Sequence, residues 1–314
     1  MKHYSIAFIG MGSIGKRHLG NVCDLMHLQG DTCSIDLYRS SMSRPLAPEV
    51  TTLIKNQYLY GEPVQKEYDM VFVTNPTSKH LETALMFRPY TKALFIEKPV
   101  FDSFEVTDDT IAQLDEIPSY VACPMRYNLV IQYIKQHIDL SKVISVRAIS
   151  SSYLPDWRPG QDYRQTYSAH AELGGGVDID LIHEWDYLTW LFGMPTECTG
   201  VYGRYSRLEI DSYDTALYIA KNDRLTFELH LDYYGRKAQR MLNIFTQDDT
   251  IECNLINGTV TYMRKGETIH LNVERNTFQM AEMNHFFDIA EGRCENDSNV
   301  AHGVKLLKLA KSII

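Results

Sequence analysis

Residues able to do chemistry fall in a few short stretches of this chain. Gly10, Gly12 and Gly15 stand as G-x-G-x-x-G directly after the apolar run Ile6–Ile9. Of such a triad, the first glycine permits a tight turn and the second lets the backbone approach a pyrophosphate. The third lets helix and strand pack closely. Ser13 and Ile14 lie inside the triad, where the free N–H groups and positive end of the following helix can hold phosphate. The stretch therefore reads as a dinucleotide cradle, the alternative being a glycine turn with no ligand. A second stretch follows at Tyr38-Arg39-Ser40-Ser41, with Arg44 close behind. An acid here would bind the adenosine ribose diol. Arg39 and Ser40 suit a 2′-phosphate instead, which favours NADP over NAD. Arg39 could equally be a solvated loop residue or stack on adenine. Thr74, Asn75 and Pro76, with His80 beyond, and the triplet Glu97-Lys98-Pro99 end two further apolar runs, where ligands bind in open α/β sheets. A lysine beside a nicotinamide can take part in catalysis; a lone one is more often on the surface.

The last such stretch is the loop from Leu154 to Ala171. Trp157, Tyr163 and Tyr167 offer flat faces to a sugar ring, and Arg158 and Arg164 offer forks for a carboxylate or phosphate. With Arg126 they are the substrate-binding candidates. Asp156 and Asp162 could instead pair with these arginines in a structural clamp.

The elements that must position these groups follow from periodicity. Strands and helices alternate from residue 4 to residue 123, which predicts a doubly wound parallel Rossmann sheet. From residue 124 the pattern changes to long alternating strands, a helix over Val177–Phe192 and two closing helices, Ala281–Glu291 and Ala301–Ile314. That predicts an α+β domain, residues 124–314, with an open, mostly antiparallel sheet.

Composition narrows the function. The chain has 314 residues and a formal net charge of −9, which disfavours nucleic acid as a partner. No apolar run reaches membrane-spanning length, and none precedes the first strand as a targeting segment would. Six scattered cysteines form no C-x-x-C pair, arguing against a metal site and against disulfides and pointing to a reducing cytoplasm.

GMGSIG at the start, Glu97-Lys98-Pro99, and GGGVDIDLIHEWDYLTWLFG from Gly174 to Gly193 together resemble the Gfo/Idh/MocA family of oxidoreductases. The resemblance covers nearly the whole chain. It implies the two domains above, an NAD(P) cofactor, a sugar substrate, and a homodimer or homotetramer. It places the family's base on His183, its lysine on Lys98 and its aspartate on Asp180. His183 would take a hydroxyl proton as hydride leaves for the nicotinamide, Lys98 would hydrogen-bond the same oxygen, and Asp180 would orient the imidazole or hold a substrate hydroxyl. Many members space the aspartate and histidine by four residues, whereas here the spacing is three. On a regular helix both spacings share a face; Asp178, five residues away, points elsewhere. Glu184 and Asp186 are expected on the helix's polar face or at the cofactor's rim. The loop also resembles one branch, with YLPxWRP…DYRxxYSA, associated with surface-carbohydrate or sialic-acid-like sugar biosynthesis. The expected function is hydride transfer between nicotinamide and a hydroxyl or carbonyl carbon of a sugar or anionic sugar derivative. An NAD-dependent glycoside hydrolase with retained cofactor and a non-catalytic dinucleotide sensor are the alternatives.

Overall fold

The computed structural model describes residues 1–43, 45–64 and 66–312. It divides into two compact units, Met1–Ala122 with Gln279–Lys305, and Cys123–Phe278 with Leu306–Ile314.

The first unit opens with strand β1 (His3–Ile9), helix α1 (Ser13–Gln29) and strand β2 (Thr32–Arg39). It continues through α2 (Pro48–Thr51), β3 (Asn56–Leu59), β4 (Tyr68–Val73), α3 (His80–Phe87), β5 (Thr91–Ile96), α4 (Asp108–Asp115) and β6 (Ser119–Val121). The six strands pair in parallel in the order β3-β2-β1-β4-β5-β6. The Rossmann expectation is met, and its physical basis is visible. Ile6, Phe8, Ile9, Met70, Phe72, Val73, Leu94 and Ile96 are all buried, as in strands covered on both faces. The order reverses direction between β1 and β4, so the switch point falls where β1 ends in Gly10 and β4 in Thr74.

The second unit contains α5 (Leu129–His137), β7 (Val143–Tyr153), α6 (Val177–Asp180), α7 (His183–Phe192), β8 (Glu197–Gly203), β9 (Thr215–Lys221) and β10 (Thr226–Asp232). Strands β11 (Tyr234–Thr246), β12 (Thr250–Asn254), β13 (Thr259–Tyr262) and β14 (Glu267–His270) follow, then helices α8 (Arg275–Ala290) and α9 (Val300–Ala310). Its eight-stranded sheet runs β14-β13-β12-β11-β7-β10-β9-β8. Every pairing is antiparallel except β7 with β10. An open, mostly antiparallel sheet is what the alternating strands predict.

Two expectations need correcting. A single division after residue 123 misses the return of Gln279–Lys305 to the first unit. The reason is aromatic: Phe286 of α8 is fully buried against Phe72 and Phe95, with ring centroids 5.5 and 5.2 Å away, and Phe287 meets Tyr4 at 5.5 Å. Gly303 of α9 completes the return, since a Cβ there would lie 2.9 Å from the Val100 Cβ. Second, the helix expected over Val177–Phe192 is two helices. The chain turns at Leu181 and Ile182, and Leu181 has φ −99° and ψ 22°. Among the described residues no helix is long and apolar enough to cross a membrane.

Candidate functional site

In the first unit the three glycines prove to be there for different reasons. Gly10 has φ +90°, and a Cβ on it would come within 2.8 Å of Asn75 Cα. A Cβ on Gly15 would come within 2.9 Å of Thr74 Oγ1 and 3.0 Å of the Gly10 carbonyl oxygen. Both are demanded by the protein's own packing. Gly12 is not. Its φ of −72° suits any residue, and a Cβ on it would meet nothing within 4 Å. The open space lies over the N-terminus of α1, which has neither a side-chain cap nor an acid in its first turn. The first intrahelical bond runs from Lys16 N to Gly12 O at 3.0 Å, so the amides of Ser13, Ile14 and Gly15 have no helical acceptor and suit an anion. The residues present therefore fit the pyrophosphate of a dinucleotide.

The loops beside this cradle are tied to it. Thr74 Oγ1 donates to Ile9 O at 3.1 Å and to Gly10 O at 3.0 Å. Asn75 Nδ2 donates to Thr83 Oγ1 at 2.7 Å, while its buried Oδ1 finds no partner among the described residues. Pro76 leads into a 3-10 turn over Thr77–Lys79. His80 is buried behind these loops, its Nδ1 facing Pro99 O at 3.0 Å and its Nε2 facing Asn75 O at 3.0 Å. It thus ties the β4 and β5 loops to each other. Burial pulls its imidazole below the ordinary range. Glu97 is also buried. Its Oε1 bonds His18 of α1, and its Oε2 accepts from Lys98 N at 3.1 Å. Burial alone would raise the Glu97 carboxyl, but the His18 bond and the charges of His18, Lys98 and His80 hold it below the usual carboxylate range. Lys98 is half-buried at the mouth of the sheet.

At the end of β2, Arg39 donates to Gln57 Oε1 at 2.9 Å and Ser40 is exposed. Arg44 lies outside the described residues. The nearest acid in the strand, Asp36, is fully buried and already engaged by Asn56 at 2.9 Å, Tyr68 at 3.0 Å and Lys66 at 3.1 Å.

In the second unit the expected acid–base set spans the break between α6 and α7. Asp180 ends α6 and is buried, accepting from Tyr233 Oη at 2.6 Å. Burial and the Asp180 charge push the Tyr233 phenol well up. Asp178 takes Lys311 Nζ at 2.5 Å. His183 opens α7, and its Nε2 accepts from Arg240 Nη2 of β11 at 2.7 Å. Arg240 Nε lies 2.8 Å from Glu184 Oε1, and the same oxygen lies 3.3 Å from His183 Nε2. Glu184 is 0% exposed. Burial would raise its carboxyl, but the Arg240 charge, with His183 and Tyr187 beside it, holds it down at about 2. Glu184 and Asp186 are therefore not on a polar face. They are the buried halves of two ion pairs. Asp186 takes both arms of Arg126, at 2.9 and 2.6 Å.

That pair also corrects the reading of Arg126 as a substrate contact: it is 1% exposed with its guanidinium fork on Asp186. In the loop after β7 only half of the possible clamp forms. Arg164 is forked on Asp162 and reaches Glu209 at 2.8 Å. Arg158 lies over the Tyr167 ring at 5.7 Å and has no carboxylate partner among the described residues. Trp157 donates to Ser152 Oγ at 2.9 Å and packs edge-on to Tyr233, while Tyr163 Oη accepts from Glu209 N at 3.2 Å. Leu154, Pro155, Trp157, Arg158 and Tyr163 line a shallow crevice of about 10 Å³, room for about one water.

Sequence reasoning missed His18, Tyr233 and Arg240. His18 carried a signal, a polar residue on the apolar face of α1. Arg240 carried none, being one cation among several in a polar strand.

Comparison with known proteins bears out the family resemblance over the first part of the chain. Residues 4–121 match the Gfo/Idh/MocA family model, described as an oxidoreductase family with an NAD-binding Rossmann fold. An uncharacterized oxidoreductase, YrbE of Bacillus subtilis, is 25% identical over 238 residues, covering 72% of this chain. The match spans 64% of that relative's length. Among solved structures, UDP-N-acetylglucosamine 3-dehydrogenase GnnA from Acidithiobacillus ferrooxidans aligns with a TM-score of 0.74 at 20% identity, over 100% of this chain and 97% of that one. The WlbA dehydrogenase from Bordetella pertussis, in complex with NADH and UDP-GlcNAcA, aligns with a TM-score of 0.80 at 17% identity, over 99% and 95%. At these identities the structural matches establish the fold.

Proposed function

We propose that this chain, whose residues 4–121 carry the NAD-binding Rossmann fold of the Gfo/Idh/MocA oxidoreductases, is an NAD(P)-dependent sugar dehydrogenase or reductase. The observation that carries the reading is Gly12, a glycine with no reason inside the protein, over a helix N-terminus with no cap. A bound nicotinamide supplies the hydride acceptor or donor. Gly10, Gly12, Ser13, Ile14 and Gly15 would hold the pyrophosphate. Thr74, Asn75, Pro76, Glu97 and Lys98 would line the rest of the cofactor's bed, with His80 supporting it from behind.

For the chain's own part, His183 is assigned as the base on the substrate hydroxyl. Lys98 stabilises charge on the same oxygen as its proton departs. Asp180, whose carboxylate also holds Tyr233, orients the imidazole or holds a substrate hydroxyl. The substrate class is an anionic sugar derivative, such as a sugar acid, sugar phosphate or nucleotide sugar. Arg158, with no carboxylate of its own, supports this class, and so do the UDP-sugar names of the two structural relatives. Arg39 and Ser40 support NADP, while WlbA was solved with NADH.

The test is a panel of neutral and anionic sugars assayed with NAD⁺ and NADP⁺ in both directions, with calorimetry of each dinucleotide. The proposal expects turnover of an anionic sugar only, a raised KM for it in Arg158→Lys, and weaker NADPH binding in Arg39→Ala. Turnover of neutral sugars alone would overturn the substrate class, and tighter NADH than NADPH binding by the unaltered protein would overturn the cofactor preference.

A further inference from the structure

His183 Nε2 faces two groups that ask opposite things of it. Arg240 Nη2, at 2.7 Å, can only donate, so it needs the Nε2 lone pair. Glu184 Oε1, at 3.3 Å, can only accept while ionised, so it needs a proton on Nε2. The geometry favours the first. Arg240 is closer, and its Nε at the same time lies 2.8 Å from that Glu184 oxygen. The arginine thus offsets the Glu184 carboxylate, which would otherwise stabilise an imidazolium.

We infer that Arg240 is a positioning residue that keeps His183 neutral and fixes its tautomer, with the proton on Nδ1 and the lone pair on Nε2. It does so by donating from Nη2 to the histidine while its guanidinium charge lies against the buried Glu184 as an ion pair, Nε and the carboxylate sharing no hydrogen bond. A base must hold a lone pair before it can accept a proton, so the relevance of this device to turnover rests on His183 being the base. The charged groups nearest in sequence have partners of their own. Asp180 is held by Tyr233 at 2.6 Å, and Asp186 by Arg126 at 2.6 and 2.9 Å. Arg126 reaches α7 from the 3-10 turn Pro124–Tyr127 and is engaged by that same pair. Tyr187, beside Glu184, stays a neutral phenol because burial and the Glu184 charge push it well up. Arg240 Nη1 donates to the Met125 sulfur at 3.4 Å.

The sign of each perturbation follows. Removing Arg240 leaves Glu184 facing His183 without the opposing cation and favours the imidazolium. Removing the Glu184 charge leaves the arginine alone and disfavours it. The experiment is a pH titration of the side-chain nitrogen NMR signals of the 15N-labelled full chain, with His183 among the 11 histidines assigned through His183→Gln. In the unaltered protein, Nε2 should show the shift of an unprotonated acceptor at neutral pH. Arg240→Gln should raise the His183 midpoint by about one pH unit or more, Glu184→Gln should lower it, and Arg240→Lys should fall between Arg240→Gln and the unaltered protein. Because Glu184 is fully buried, its variant could fail to fold; the two Arg240 variants then decide. A His183 midpoint unmoved in Arg240→Gln, or a proton on Nε2 in the unaltered protein, overturns the inference. The acid limb of kcat/KM separates the two readings. If the NMR midpoint moves and the limb follows it, both stand. If the midpoint moves and the limb does not, Arg240 does set the state of His183, but His183 is not the base.

Discussion

At the residue scale, three glycines of one motif divide into two kinds. Gly10 and Gly15 are fixed by contact with Asn75, Thr74 and the Gly10 carbonyl, whereas a Cβ on Gly12 would meet nothing within 4 Å. Gly12→Ala should therefore fold with an unchanged Tm yet lose affinity for dinucleotide by about tenfold or more, since a methyl there crowds charge-assisted bonds to phosphate. Gly10→Ala should lose more than about 1 kcal/mol of stability, because its φ of +90° strains any L side chain. Thermal melts with calorimetry separate the two, and equal loss of Tm in both variants would remove the argument from Gly12. The sequence gives the motif but not this distinction, because the contacts that claim Gly10 and Gly15 come from residues some sixty positions away. The same holds for the arginines of the loop after β7. Spacing alone leaves Arg158 and Arg164 equivalent, and only the placement of Glu209 beside Asp162 shows that Arg164 is engaged.

At the element scale, the Rossmann half is legible because its strands are continuous apolar runs closed by glycine or polar turns. Strands β3 and β8 are not legible. The first is a short edge strand with mostly exposed side chains, and the second is diluted by Gly200 and Gly203. Helix periodicity also misleads over Val177–Phe192. Buried side chains continue through Leu181 and Ile182, so nothing in the pattern marks the turn that separates Asp180 from His183. What holds α7 in place is Asp186 on Arg126, a buried pair that a helical-wheel reading assigns to solvent. Arg126→Met should cost about 3–5 kcal/mol by removing the guanidinium that offsets a buried carboxylate. Adding Asp186→Leu should restore most of that stability. Urea titrations measure both, and the double variant should keep its KM for substrate. A KM that rises in the stabilised double variant would return Arg126 to the substrate.

At the scale of the whole molecule, the chain interleaves its two units in sequence. Residues 279–305 rejoin the first through an aromatic face that a linear reading gives to the second, because periodicity finds helices and not the surface they cover. Under the proposed function, Lys98 and His183 act on one substrate oxygen. A double-mutant cycle on kcat/KM, with Lys98→Met, His183→Ala and the pair, tests this most directly, using the sugar that the panel identifies. The account predicts that each single variant loses about 10²- to 10⁴-fold with dinucleotide affinity and Tm unchanged, and that the pair is little worse than the poorer single, as for groups that work as a unit. Losses that multiply in the double variant, or a His183→Ala enzyme with near-normal kcat, would contradict it.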